Sequence, residues 1–258
     1  AIVHTATPEQ LVALLNQRWD SLNALTATAE IYATEFKTAQ GEAKNYPSAR
    51  ASIVIAKPEL LRVRGTYFGV MIFDLASNGE TFTLQIPSKN LVIQGSNTSK
   101  GNSKNTWENL RPSFFFDAMV VREVGQDEHY FVTSDTETVE DPTKKHLYSV
   151  PEYILNINRV NPNSRSETPV RVVTFHRDDL LPYAQDIYNS KGELETEVIY
   201  QNYRQFNSIQ YPSTVTIVSP QNGFKLVLMV ESVHENMKLP ADEFQLQLPP
   251  GMKIQQLQ

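Results

Sequence analysis

A hydrophobic period of two, returning along most of the chain, constrains this sequence more than any other feature. Ala27, Ala29, Ile31 and Ala33 alternate with Thr28, Glu30 and Thr34; Phe82, Leu84 and Ile86 alternate with Thr81, Thr83 and Gln85; Val215 and Ile217 alternate with Thr214 and Thr216. Side chains of a strand point alternately to opposite faces, so these are half-buried strands. Similar β-rich runs cover 51–56, 61–75, 91–95, 129–135, 147–159, 170–177, 181–189, 194–206 and 224–233. Between some of them stand turn signals: Ser77-Asn78-Gly79, Ser190-Lys191-Gly192 and Gln221-Asn222-Gly223. Connections this short join antiparallel strands, and no helical runs alternate with them as a parallel α/β fold requires. The expected fold class is α+β, a large antiparallel sheet with few helices.

Two segments depart from that period. Thr7 as N-cap, Pro8 at the first helical position and Gln10 closing a capping box open a helix whose Leu11, Leu14, Leu15, Trp19 and Leu22 form one stripe. Further on, the polar loop 95–106 leads through Trp107, expected on a short turn, to Arg111-Pro112 and the run 114–121, where Asp117 alone is polar. Pro112 suits a first helical turn. A helix apolar nearly all round needs burial on more than one side, and a sheet that curves around it supplies that.

Composition narrows the function. No linker rich in Pro, Gly or Ser divides the 258 residues, so a single domain over 1–258 is expected, with 162–169 as a surface loop. A net charge of −6 gives no general attraction to nucleic acid. The apolar stretches 68–73 and 226–230 fall far short of the roughly 18 residues of a membrane helix. Without cysteine there is no disulfide and no thiolate chemistry. The five histidines are scattered without zinc-helix spacing; His176-Arg177-Asp178-Asp179 reads as a salt-bridged hairpin end. No nucleophile elbow, phosphate loop or dinucleotide fingerprint occurs, so neither an enzyme nor a cofactor or metal site is expected. What remains is a surplus of large apolar side chains, among them Phe116 and Met229. They suit either a packed core or an apolar cavity with adaptable walls.

Several motifs, in order, resemble the LolA/LolB-like outer-membrane lipoprotein carrier and receptor family. They are Ala56-Lys57-Pro58-Glu59-Leu60-Leu61-Arg62; Asp74 followed by Asn78-Gly79, Phe82, Leu84 and Ile86-Pro87; Arg111-Pro112-Ser113-Phe114 at the place of the internal lid helix; Tyr211-Pro212-Ser213-Thr214-Val215; and the ending 239–251, similar to the family's closing strands. The resemblance implies an incomplete (half) barrel holding an N-terminal helix and a lid helix over 114–121. It also implies a monomeric, non-enzymatic periplasmic binding protein for acyl chains of a lipid or lipoprotein, serving transport or localisation to the outer membrane. The implied lipid-binding cavity takes Met71, Phe73, Phe82, Leu84, Trp107, Phe114, Phe115, Met119, Leu226 and Leu228. In LolA-like carriers an arginine before the junction proline latches the lid; Lys57 stands there, a latch without the planar fork. Extra length lies around 135–169. The start at Ala1 is compatible with a lipidated cysteine upstream, and hence an outer-membrane anchor. The alternative is an interaction or envelope-sensor module that fills the same cavity with its own side chains and binds a protein partner.

Overall fold

A computed structural model describes residues 3–37, 41–99, 106–141, 143 and 146–257. In chain order the elements are α1 (Pro8–Ser21), β1 (Ala24–Lys37), β2 (Glu42–Asn45), β3 (Ala49–Ala56), β4 (Leu60–Tyr67), β5 (Val70–Ser77), β6 (Thr81–Ile86), β7 (Leu91–Ser96), α2 (Pro112–Met119), β8 (Glu128–Asp141), β9 (His146–Val160), β10 (Glu167–His176), β11 (Pro182–Tyr188), β12 (Leu194–Phe206), β13 (Ile209–Ser219), β14 (Phe224–Glu235) and β15 (Lys253–Gln256). They form two compact units, Ala1–Asp20 with Val121–Tyr200, and Ser21–Val120 with Gln201–Gln258.

In the first unit the strands run in the order β12, β11, β10, β9, β8, all antiparallel. The capping box forms as expected. Thr7 N donates to Gln10 Oε1 at 2.8 Å, and Gln10 N donates to Thr7 Oγ1 at 3.3 Å. Leu11 and Leu15 of α1 then pack on Tyr153, Leu155, Ile157, Val173 and Phe175 of the sheet. Arg171, buried, donates to the carbonyls of Arg122 at 2.7 Å and Glu123 at 2.6 Å, which fixes the chain entering β8. The extra length around 135–169 becomes a long hairpin, β8 against β9, whose outer half is exposed. The loop expected at 162–169 closes earlier, since β10 already begins at Glu167.

In the second unit the order is β15, β7, β6, β5, β4, β3, β1, β14, β13, with β2 on β1. Its pairs are antiparallel except β15 on β7, which is parallel. α2 touches both β5 and β13, strands far apart in that order, so the sheet curves around it. Arg111 is the N-cap and Pro112 follows at N1. Phe114, Phe115, Phe116, Ala118 and Met119 are all buried, as a helix apolar nearly all round demands. The motif residues Arg62 and Asp74 meet: Arg62 donates to both carboxylate oxygens, at 3.1 and 2.9 Å, while Arg64 Nε adds a third bond at 3.1 Å. Arg62 also donates to the carbonyl of Glu243 at 2.8 Å, so one guanidinium ties β4, β5 and the C-terminal segment together.

Two sequence expectations change. The run 61–75 is two strands, turned by Phe68 and Gly69 with positive φ of 46° and 78°. The 239–251 segment is turns and irregular chain rather than a closing strand, because Pro240, Pro249 and Pro250 have no N–H for a ladder. Only after it does the short, exposed β15 pair with β7. The fold class is α+β: a large, mostly antiparallel sheet, left open, with an N-terminal and an internal helix.

Candidate functional site

The second unit holds an apolar cavity of about 270 Å³. Period-two alternation aims Ile31 and Ala33 of β1, Phe73 of β5 and Leu226 of β14 into it, and Phe115 of α2 meets them from the helix. Ile72, Ile86 and Leu110 complete the apolar wall; Tyr46, Pro47, Ser48, Ala49, Tyr67, Ser88 and Lys89 supply the remainder. Two of its polar groups are engaged with protein. Tyr46 Oη donates to Glu35 at 2.5 Å, and Lys89 Nζ pairs with Glu108 at 2.7 Å. The volume sits just below the roughly 300–1,000 Å³ of small-molecule sites, room for part of one flexible apolar chain.

α2 is tied at both ends. Arg111 is buried at 5% exposure; its Nε donates to Ser99 O at 3.0 Å and its Nη1 to the carbonyls of Leu110 at 2.7 Å and Glu108 at 3.1 Å. Its guanidinium lies 4.8 Å from the Phe82 ring centre. Burial pushes its pKa down to about 10. At the other end Tyr211 Oη, fully desolvated and with its pKa raised by that burial, donates to Met119 O at 2.6 Å.

Of the side chains expected in the cavity, Phe73, Phe115 and Leu226 line it. Phe114 packs edge-on against Phe224 with ring centres 5.1 Å apart, Phe82 lies under Arg111, and Leu84 and Leu228 are core residues fully out of solvent. Met119 holds the Tyr211 bond and Met71 is half-buried on β5. The Trp107 side chain lies outside the described residues, as does the 100–105 half of the 95–106 loop. Lys57 stands at the β3–β4 junction, where its N–H donates to Asn23 O at 2.9 Å. Sequence reasoning missed Ile31, Ala33 and Ile86 as wall residues although their alternation had marked them inward-facing. For the Tyr46–Ala49 rim no signal existed.

Beside the rim, Tyr67 of the wall is followed by Phe68, 90% exposed. Tyr67 pairs with Val70, so Phe68 and Gly69 form a two-residue hairpin loop with both φ positive, a geometry that favours Asn-Gly. The Phe68 ring therefore stands in solvent on a left-handed backbone, with its edge-to-face contact to the Tyr67 ring at 4.6 Å between centres.

No family model matches the chain, and no curated protein matches its sequence. Solved structures do. A LolA superfamily protein from Nitrosomonas europaea superposes with a TM-score of 0.54 at 13% identity over 94% of this chain and 99% of that one. An outer membrane lipoprotein-sorting protein domain from Vibrio parahaemolyticus gives 0.53 at 13% identity over 92% and 94%. A DUF1329 family protein from Desulfovibrio piger gives 0.52 at 15% identity over 92% and 95%. The motif order read from the sequence and the superposition agree: this chain carries the LolA-like fold, an incomplete barrel with internal helix, in a divergent form.

Proposed function

We propose that the chain is a non-enzymatic binding protein of the bacterial envelope that shields an acyl chain of a lipid or lipoprotein in the cavity under α2. In this reading residues 1–258 act as one domain, monomeric and periplasmic, with Lys57 as a latch at the β3–β4 junction. The observation that carries it is the cavity itself: an apolar wall covered by a helix apolar nearly all round, which is tied to the surrounding protein at both ends. Each methylene removed from water contributes about 0.8 kcal/mol, so a few already bind, and a longer chain requires α2 to shift outward. The apolar surface that Phe68 and Tyr67 expose beside the cavity supports entry of the chain from that side. The likeness in fold to the lipoprotein-sorting domain of Vibrio parahaemolyticus supports a task at the outer membrane.

Displacement of a fluorescent fatty acid tests the reading. The parent protein binds the probe, and Phe115→Asp, verified as folded by circular dichroism, weakens binding at least tenfold. No binding by the parent, or equal binding by the variant, refutes it.

A further inference from the structure

A second constellation lies in the other unit, on the face of the sheet turned away from α1. The register sets Glu152 of β9 directly opposite His176 of β10 and opposite Asp135 of β8. Glu137 lies two residues along β8 from Asp135, on the same face. Ligand atoms of Glu137, Glu152 and His176 come within 4.8 Å of one another. Tyr183 arrives from β11, where the β10–β11 register shifts. Its Oη donates to Glu152 Oε1 at 2.5 Å and lies 3.4 Å from Glu137 Oε2, while its ring stacks on the His176 imidazole with centres 3.8 Å apart.

Glu152 is only 5% exposed, beside a second carboxylate, and among the described residues no lysine or arginine pairs with either. Asp178 and Asp179 of the turn do not join the cluster; Asp179 Oδ1 accepts from Leu181 N at 2.8 Å.

We propose that Glu137, Glu152 and His176 form a binding site for a divalent transition-metal cation, with Zn²⁺ the best match. One imidazole nitrogen and two carboxylate oxygens suit a borderline ion, and a neutral imidazole with two carboxylates offers the charge that a divalent ion neutralises. Tetrahedral ligands at about 2.0–2.2 Å from the metal stand roughly 3.4 Å apart, so the side chains need only close inward by a rotamer adjustment. Tyr183 positions two of the three ligands, bonding one and stacking on another. Three hydrogen-bonded strands supply a stiff frame.

The test is calorimetric titration of chelator-treated full chain with Zn²⁺ alone, with the melting temperature followed in parallel. One equivalent binds and raises the melting temperature. Glu152→Gln, which keeps an acceptor for Tyr183, and His176→Gln each weaken binding at least tenfold. His129→Gln, altering an exposed histidine paired with Glu167 elsewhere, leaves it unchanged. Circular dichroism of each variant separates lost ligands from lost fold. No saturable binding, or a loss smaller than tenfold in either folded ligand variant, overturns the site and leaves an adventitious ion only.

Discussion

At the scale of single residues, Gly65 shows how a missing side chain shapes the cavity. It pairs with Phe73 across β4 and β5, and a Cβ placed on it would come within 2.3 Å of the Phe73 ring. The ring lies over the glycine because nothing stands in its way, and from there it forms part of the cavity wall. Gly65→Ala forces the ring or the strand to move. Overpacking of this kind costs about 1–3 kcal/mol, read as a lower urea midpoint, and a ring pushed inward also weakens fatty-acid binding. Arg111 makes the complementary point. This buried charge is held by carbonyls and an aromatic face, so it fixes the start of α2 at the expense of its own solvation.

At the scale of elements, the β4–β5 hairpin is built against its own turn chemistry. Phe68→Asn restores the residue that a turn with two positive φ values favours, and unfolding should show a gain of about 1 kcal/mol. If the exposed ring serves chain entry, the same variant takes up a fatty-acid probe from vesicles more slowly; stopped-flow transfer measures it. Strands β11 and β12 carry a different conflict. Asp186 faces Glu197 directly, and burial, then the Glu197 charge, raise the Asp186 pKa above its ordinary value. A carboxyl raised in the folded state is a penalty at neutral pH that fades as pH falls through that raised value toward the ordinary carboxylate range. Glu197→Gln therefore stabilises by about 0.5 kcal/mol at pH 7, and thermal melts at falling pH show the advantage shrinking.

At the scale of the whole molecule, the sheet was legible because alternation is a local signal that survives in any context. The capping box at Thr7 and Gln10, and Pro112 at the first turn of α2, were legible for the same reason: their partners are three residues away or on the same turn. The Phe68–Gly69 turn was hidden because Phe68 contradicts the turn it makes. β15 was hidden because four exposed residues carry no periodicity, and its parallel partner β7 is far away in sequence. Three of the anticipated cavity residues face the cavity, since inward-facing on a curved sheet means core for most positions and wall for a few.

By itself, then, the sequence determined the fold class, the two helices with the cap of the first and Pro112 opening the second, and an apolar surplus that a sheet alone would not need. Tertiary structure decided which of those apolar side chains enclose empty volume, and it brought Glu137, Glu152, His176 and Tyr183 from four strands to one place. The reason is physical. Alternation says which face a residue takes, but only register and curvature say what stands opposite it.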